Sequence, residues 1–147
     1  IRQGSKFLIM THAIILIVDD DVEELIILKE VFSEQHYHSI LYFDNAHQVL
    51  SYLANLKSEA FYPKLVVSDI NMPKMDGFGV LARLSRDPLT STIPFIFITA
   101  RTEREDLRRG MLMGADDYIT KPFQPETVKA AIGQALFFHP SREREAR

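Results

Sequence analysis

Carboxylates follow two apolar segments of the 147-residue chain and are the residues most able to do chemistry. Asp69 comes directly after residues 65–68, and residues 19–21, all aspartate, come directly after residues 13–18. If both segments are neighbouring strands of one parallel sheet, these acids meet at the same edge. Carboxylates gathered this closely repel and raise one another's pKa, so the cluster is costly without a cation or a phosphoryl group. The pattern therefore predicts a divalent-metal site.

Composition limits what this site can serve. The length favours a single domain, and 46% hydrophobic with 25% charged residues is typical of a globular protein rather than a disordered one. A net charge of −3 gives no general attraction to nucleic acid or to anionic membranes. The absence of cysteine excludes disulfides and thiol chemistry and fits a reducing cytoplasm. The apolar runs are far shorter than the roughly 20 residues that a membrane span needs.

Short β-branched or aromatic runs alternate with segments of helical period, which is typical of βα units around a parallel sheet. The predicted strands are residues 13–18, 39–43, 65–68, 95–99 and 117–119. Helical spacing lies between them, including Leu107, Gly110, Met111 and Gly114, and a last helix has Pro125 in its first turn. We expect one domain over residues 13–139. Residues 1–12 are interpreted as a start-site extension or cloning remnant, and residues 140–147 as a charged tail or linker.

In doubly wound sheets the ligand lies beyond the carboxyl ends of the strands, so the residues just after each strand matter most. Besides the acids, these are Thr99, Ala100 and Lys121. Each has an ordinary structural interpretation when taken singly: the acids can cap a helix or a turn, and a lone lysine is usually a solvated charge. Together, carboxylates, a hydroxyl and an ammonium form a converging set with complementary charges.

At these residues the sequence resembles the receiver domain of two-component response regulators, the CheY-like superfamily. Four blocks carry the resemblance in order, and they are residues 17–21 (IVDDD), 66–77 (VVSDINMPKMDG), 98–100 (ITA) and 114–123 (GADDYITKPF). The resemblance covers residues 13–137. It implies an α/β, flavodoxin-like fold, with a five-stranded parallel sheet in the order 2-1-3-4-5 and five helices. It also supports a cis peptide bond between Lys121 and Pro122.

The resemblance also implies a role for each site residue. Asp69 would accept a phosphoryl group, which Lys121, Thr99 and the Ala100 amide would stabilise. Mg²⁺, with Mn²⁺ as a substitute, would be bound by Asp20, Asp69 and the backbone carbonyl of Asn71, with Asp19 acting mainly through a metal-bound water. Asp21 would instead lie near the start of the first helix. These ligands agree with the preference of Mg²⁺ for oxygen and for retained water.

Switching and phosphoryl lifetime are assigned by the same resemblance. Thr99 would move toward the phosphoryl group and Tyr118 inward into the vacated space, biasing a two-state element. Tyr118 can alternatively be an ordinary amphipathic edge residue. The expected output face is helix four, strand five and helix five, and it contains Leu107, Met111, Tyr118 and Lys129. Asn71 and Arg101 lie two residues after Asp69 and Thr99, positions that tune hydrolysis by shaping water access.

The implied partner is a sensor histidine kinase or a histidine phosphotransfer protein, and small donors such as acetyl phosphate often serve in this family. The output domain or output partner is not specified, and no direct nucleic-acid or membrane binding is expected. A phosphorylation-dependent homodimer is possible in the family. However, Ala131 occupies the position where winged-helix relatives often carry an arginine for such a dimer. That difference argues against this dimer mode here.

Other functional classes fit parts of the pattern. A phosphohydrolase of the haloacid dehalogenase type also forms an aspartyl phosphate, but it places a second acid two residues later, where this chain has Asn71. A nucleotide- or flavin-binding module needs a Gly- or Ser/Thr-rich loop after the first strand, and residues 19–21 would repel phosphate. A phosphorylation-independent adaptor would not need the complete set of acid, hydroxyl and lysine. The sequence therefore predicts a signalling domain rather than an enzyme with an external substrate.

Overall fold

A computed structural model of the chain describes residues 13–32, 38–58 and 61–137. These residues form a five-stranded parallel sheet in the order β2-β1-β3-β4-β5. The strands are β1 (Ala13–Val18), β2 (His38–Phe43), β3 (Leu65–Ser68), β4 (Phe95–Thr99) and β5 (Asp117–Thr120). The helices are α1 (Val22–Phe32), α2 (Ala46–Ala54), α3 (Gly77–Arg86), α4 (Arg104–Leu112) and α5 (Pro125–Phe137). The predicted fold class and strand order are confirmed.

The central strands are buried on both faces, which explains why they are apolar without alternation. Every residue of β3 and β4 is buried, and Ile15 to Val18 of β1 have no exposed surface. One core cluster combines the sheet with α1 and α5, and a second combines it with α2 and α3. Three strands, β1, β3 and β4, have the predicted bounds. The sheet is thus covered by helices on both faces, and its carboxyl edge is free to hold a site.

The predicted bounds of β2 and β5 were each one residue too short. β2 begins at His38 because that residue pairs with Ala13, and β5 extends to Thr120 because that residue pairs with Thr99. Both strand ends are thus set by pairing with a neighbouring strand, and the local sequence pattern carries no information about that pairing. The first turn of α5 begins at Pro125, as predicted.

Helix α4 packs on the sheet through a small residue and an acidic residue, and its larger apolar residues are exposed. Its buried residues are Asp106 and Gly110, whereas Leu107 and Met111 are 43% and 45% exposed. A Cβ on Gly110 would lie 3.0 Å from the Phe97 ring, so the glycine allows the helix to pack closely on β4. The prediction that Gly114 continues this helix was wrong, because α4 ends at Leu112.

Polar side chains satisfy the starts of three helices. Asp21 Oδ1 accepts hydrogen bonds from the Glu23 and Glu24 amides, Asn45 caps α2, and Asp76 caps α3. The prediction that Asp21 lies at the start of the first helix is confirmed. Among the described residues, we find no helix with the length and apolar character required to cross a membrane.

Candidate functional site

Backbone hydrogen bonds continue the sheet ladder one residue past the strands and thereby fix the site. The Asp69 amide donates to the Val18 carbonyl at 3.0 Å, which places Asp69 beside Asp19. On the other side, the Lys121 amide donates to the Thr99 carbonyl at 2.8 Å. The carboxyl ends of β1, β3, β4 and β5 therefore bring together the residues that the sequence singled out.

Three carboxylates form the centre of the site. Oxygens of Asp19, Asp20 and Asp69 lie within 4.8 Å of one another. Asp19 has no exposed surface and Asp69 is 7% exposed, whereas Asp20 faces solvent. Asp69 Oδ1 accepts a hydrogen bond of 2.6 Å from the Ile70 amide, and Asp19 Oδ1 accepts one of 2.9 Å from the Asp21 amide. These bonds hold the two buried carboxylates in fixed orientations.

Lys121 reaches into this cluster from the end of β5. Its ammonium Nζ lies 2.7 Å from Asp19 Oδ2 and 3.2 Å from Asp69 Oδ2, and its side chain is only 10% exposed. Burial lowers the pKa of Lys121, but the hydrogen bond and the charge of Asp19, together with Asp69, outweigh burial and raise it. The lysine is therefore charged at neutral pH. The predicted cis peptide bond between Lys121 and Pro122 is also confirmed.

The charge balance of the cluster favours a further cation. Burial raises the pKa of Asp19 to about 6, even though Lys121 and the Asp21 amide oppose the shift. Burial and the charge of Asp69 raise the pKa of Asp20. The cluster thus contains one ammonium and three carboxylates, and two of these carboxylates, Asp19 and Asp20, ionise less readily than usual. A divalent ion that prefers oxygen ligands fits this donor set.

Thr99 and Tyr118 lie on the β4 and β5 side of the site. Thr99 is fully buried, and its Oγ1 accepts a hydrogen bond of 3.3 Å from the Arg101 amide. The Tyr118 hydroxyl donates to the Arg101 carbonyl at 2.8 Å, and its ring centroid lies 5.9 Å from that of Phe97. Ala100 follows Thr99 and is exposed, as Asn71 is after β3, and these two loop residues define the solvent-facing mouth of the site. Burial and the charge of Asp106 raise the pKa of Tyr118, so its hydroxyl stays protonated.

Arg101, Asp106 and Asn71 form a second polar cluster at the mouth of the site, and the part played by Asp106 was not predicted. The guanidinium of Arg101 forms a bidentate ion pair with Asp106, with Nε 2.8 Å from Oδ2 and Nη2 2.9 Å from Oδ1. Its Nη1 also donates to Asn71 Oδ1 at 3.1 Å. In the sequence, Asp106 looks like an ordinary acid of a first helical turn. Asp106 lies four residues before the small residue Gly110, on the same side of the helix, and this spacing was the available signal that Asp106 is buried.

Gly77 also contacts the site in a way that the sequence did not reveal. Its amide donates to the Ile70 carbonyl at 2.8 Å. A Cβ at this position would collide with the Asp69 carbonyl oxygen and lie 3.0 Å from the Asp69 carbonyl carbon. The start of α3 is therefore packed against the backbone of Asp69. Met72 belongs to the core cluster of α2 and α3, and Met75 packs against that cluster, so both methionines have a packing role.

Comparison with known proteins matches most of this chain to one family. A family model described as the response regulator receiver domain matches residues 15–133. The probable chemotaxis protein CheY of Rhizobium etli is 34% identical over 123 residues, covering 84% of this chain and 91% of that protein. A solved receiver domain of a signal transduction histidine kinase from Syntrophus aciditrophicus superimposes with a TM-score of 0.76. It is 29% identical and covers 92% of this chain and 98% of that one.

Other relatives are longer. The alkaline phosphatase synthesis transcriptional regulatory protein PhoP of Bacillus subtilis is 34% identical over 122 residues, covering 83% of this chain but 48% of that protein. The chain thus spans about half the length of several curated relatives that it matches. The shared part is the receiver domain, and the rest of each of those regulators lies outside the match.

Proposed function

The chain belongs to the response regulator receiver domain family of two-component systems, and from this premise we propose that it carries a phosphoryl group on Asp69. The observation that supports this assignment most strongly is the position of Asp69. It lies in the acidic cluster, is 7% exposed, and its Oδ2 lies 3.2 Å from the ammonium of Lys121. The family is a signalling family rather than one of metabolic enzymes.

In the proposed reaction, Asp69 acts as the nucleophile. A carboxylate oxygen forms a bond to phosphorus while the P–N bond of a phosphohistidine, or the P–O bond of acetyl phosphate, breaks. The electron pair of the broken bond leaves with the donor. Because such a transfer requires in-line positioning and charge neutralisation, the task of the protein is mostly geometric and electrostatic. The Ile70 amide, which donates to Asp69 Oδ1 at 2.6 Å, holds the carboxylate in one orientation.

The acidic cluster is proposed to hold the divalent ion, Mg²⁺ in the first place and Mn²⁺ as a substitute. Asp20, Asp69 and the backbone carbonyl of Asn71 would bind it directly, and Asp19 mainly through a bound water. When bound, the ion neutralises negative charge on the transferring oxygens. The support for this assignment is the set of carboxylate oxygens within 4.8 Å of one another.

Lys121, Thr99 and Ala100 are proposed to stabilise the phosphoryl group. Lys121 Nζ already contacts Asp69 Oδ2, so it needs only a small movement to pair with a phosphoryl oxygen on that carboxylate. Thr99 is the last residue of β4 and Ala100 follows it, and the Thr99 hydroxyl and the Ala100 amide would donate hydrogen bonds at the same edge. Each of these groups gains a phosphoryl oxygen as a new partner only when Asp69 is modified, which is what a switch requires.

The switch is proposed to pass through Thr99 and Tyr118 to the output face formed by α4, β5 and α5. Both residues bond to the backbone of Arg101, so movement of the Thr99 hydroxyl alters a segment that Tyr118 also contacts. Leu107 and Met111 are exposed on α4 and offer apolar contacts to a partner. Asn71 and Arg101, which lie at the mouth, are proposed to tune the lifetime of the phosphoryl group.

The proposed donor partner is a sensor histidine kinase or a histidine phosphotransfer protein, and the output is a domain or protein that reads the α4, β5 and α5 surface. We place the receiver domain at residues 13–139 and in the cytoplasm, which the lack of cysteine fits. Residues 1–12 and 140–147, interpreted as an extension and a tail, lie outside the described residues. A phosphorylation-dependent homodimer would have to form without an arginine at Ala131.

Intact-mass spectrometry after incubation with acetyl phosphate and Mg²⁺ tests the proposal, with Asp69→Ala as the matched variant. We expect a single phosphoryl adduct on the wild type. We expect no adduct on the variant, and none on the wild type when EDTA is present during the incubation. The same measurement with a histidine phosphotransfer protein as the donor covers receivers that accept only from protein partners. Equal adducts on both chains, or steady hydrolysis of a phosphate ester, would contradict the assignment.

A further inference from the structure

Arg101 joins two loops at the mouth of the site. Its Nη1 donates to Asn71 Oδ1 at 3.1 Å, which links the loop after β4 to the loop after β3. Asn71 lies two residues beyond Asp69 and is exposed, whereas Asp69 itself is 7% exposed. The bridge between Asn71 and Arg101 is therefore more exposed than the Asp69 carboxylate and lies two residues from it along the chain.

Asp106 holds this bridge in place from α4. Both of its carboxylate oxygens are bonded to Arg101, at 2.8 and 2.9 Å, and its side chain is 11% exposed compared with 35% for Arg101. A bidentate contact fixes both the position and the plane of a guanidinium. The Arg101 guanidinium carbon also lies 6.0 Å from the ring centroid of the buried Phe78. Arg101 is thus anchored by a buried acid rather than by solvent.

Hydrolysis of a phosphoryl group on Asp69 depends on the access of water to the phosphorus atom. Loss of a phosphoryl group from Asp69 requires a water to approach phosphorus in line, on the side away from the Asp69 oxygen. Asp69 is buried at the carboxyl edge of the sheet, and the bridge between Asn71 and Arg101 joins the two loops that follow Asp69 and Thr99 at this edge. A fixed bridge there restricts the water, and a loosened bridge admits it.

We propose that Asp106 is a positioning residue that lengthens the phosphoryl lifetime by holding Arg101 against Asn71 across the path of the attacking water. The inference rests on the proposed function and deepens it, because it makes an acid of α4 part of the timing of the switch. Asp106 touches neither Asp69 nor the phosphoryl group in this account. It acts only through Arg101.

The test measures the first-order loss of the phosphoryl group after the donor is removed. For Asp106→Asn we expect loss to be roughly three- to tenfold faster, the rate equivalent of one lost hydrogen bond. Glu105→Gln is the matched control, because it removes the same charge from the neighbouring, exposed residue of α4. It should leave the rate unchanged. Urea unfolding of each variant verifies that the fold is intact.

The decisive comparison repeats Asp106→Asn in an Arg101→Ala background. Arg101→Ala alone should speed the loss of the phosphoryl group. If Asp106 acts through Arg101, adding Asp106→Asn to Arg101→Ala leaves this rate unchanged. A general structural effect of Asp106→Asn would instead speed the loss by the same factor in the wild-type and Arg101→Ala backgrounds. Asp106→Glu, which keeps the charge but displaces the carboxylate, should give a smaller acceleration and replaces Asp106→Asn if that variant does not fold.

The outcomes separate this inference from the proposed function. A wild-type chain that takes no phosphoryl group from any donor overturns both. A wild type that is phosphorylated, with an Asp106→Asn rate that is unchanged or slower, overturns the role of Asp106 alone. Equal acceleration in the wild-type and Arg101→Ala backgrounds overturns it as well.

Discussion

Replacing Gly77 with alanine should damage the phosphorylation site without removing any polar group. The added Cβ would lie 3.0 Å from both the Asp69 carbonyl carbon and the Ile70 Cα, and closer still to the Asp69 carbonyl oxygen. Ordinary contacts of a Cβ begin at 3.4 Å, so the backbone that carries Asp69 must move by several tenths of an ångström or more. Backbone atoms cannot rotate away as the end of a side chain can.

The magnitude follows from how strongly transfer depends on position. A misplacement of about 1 Å at a reacting group can cost about 100-fold in rate, so we expect Gly77→Ala to slow phosphorylation of Asp69 by roughly 10- to 100-fold. Overpacking should also lower the free energy of unfolding by about 1–3 kcal/mol. Time-resolved intact-mass spectrometry with acetyl phosphate and Mg²⁺ measures the rate, and urea unfolding measures the stability.

Gly133 provides the control for this substitution. It lies within α5, and a Cβ there would meet nothing within 4 Å. Gly133→Ala should therefore keep the wild-type rate and raise the free energy of unfolding by about 0.5–1 kcal/mol, because alanine favours a helix over glycine. A Gly77→Ala variant that is phosphorylated within twofold of the wild-type rate would refute the reasoning about this contact.

Further predictions concern the lysine, the buried acid and the core. Lys121→Ala should still accept a phosphoryl group on Asp69 but lose the coupled change at α4 and β5. Amide NMR shifts identical to those of the phosphorylated wild type would disprove this. In the absence of metal, burial raises the folded-state pKa of Asp19 from the ordinary 3.8 to about 6. The free energy of unfolding that Asp19 contributes is therefore fully present below pH 3.8 and is lost as pH rises to about 6. The wild type should thus lose about 3 kcal/mol relative to Asp19→Asn over that range, and parallel urea-unfolding curves would contradict this. Leu81→Ala, at a fully buried position, should cost about 2–5 kcal/mol in urea unfolding; a loss below 1 kcal/mol would argue against this packing.

The strands and the acidic site were predictable because their signals are local. β1, β3 and β4 are continuous apolar runs, and a fixed offset of one residue from the strand end places Asp19 and Asp69 at the sheet edge. The fold then converts a position in sequence into a position in space. The same offset brings Lys121 next to Thr99 through a backbone hydrogen bond.

What could not be predicted depends on packing between distant elements. The buried face of α4 is set by the Phe97 ring, which leaves room for Gly110 and turns Leu107 and Met111 outward. The pairing of Arg101 with Asp106 depends on that same rotation of the helix. Only the assembled structure contains this pairing, since the helical spacing of α4 does not show which residue of another loop Asp106 contacts.

The most direct measurement locates the phosphoryl group itself. Borohydride reduces an aspartyl phosphate to homoserine, which tandem mass spectrometry assigns to a position in the chain. After phosphorylation with acetyl phosphate and Mg²⁺, the account predicts homoserine at position 69 alone, and none when EDTA is present. Homoserine at position 19, 20 or 21, or a phosphoryl group that survives borohydride on a hydroxyl such as that of Thr99, would contradict it.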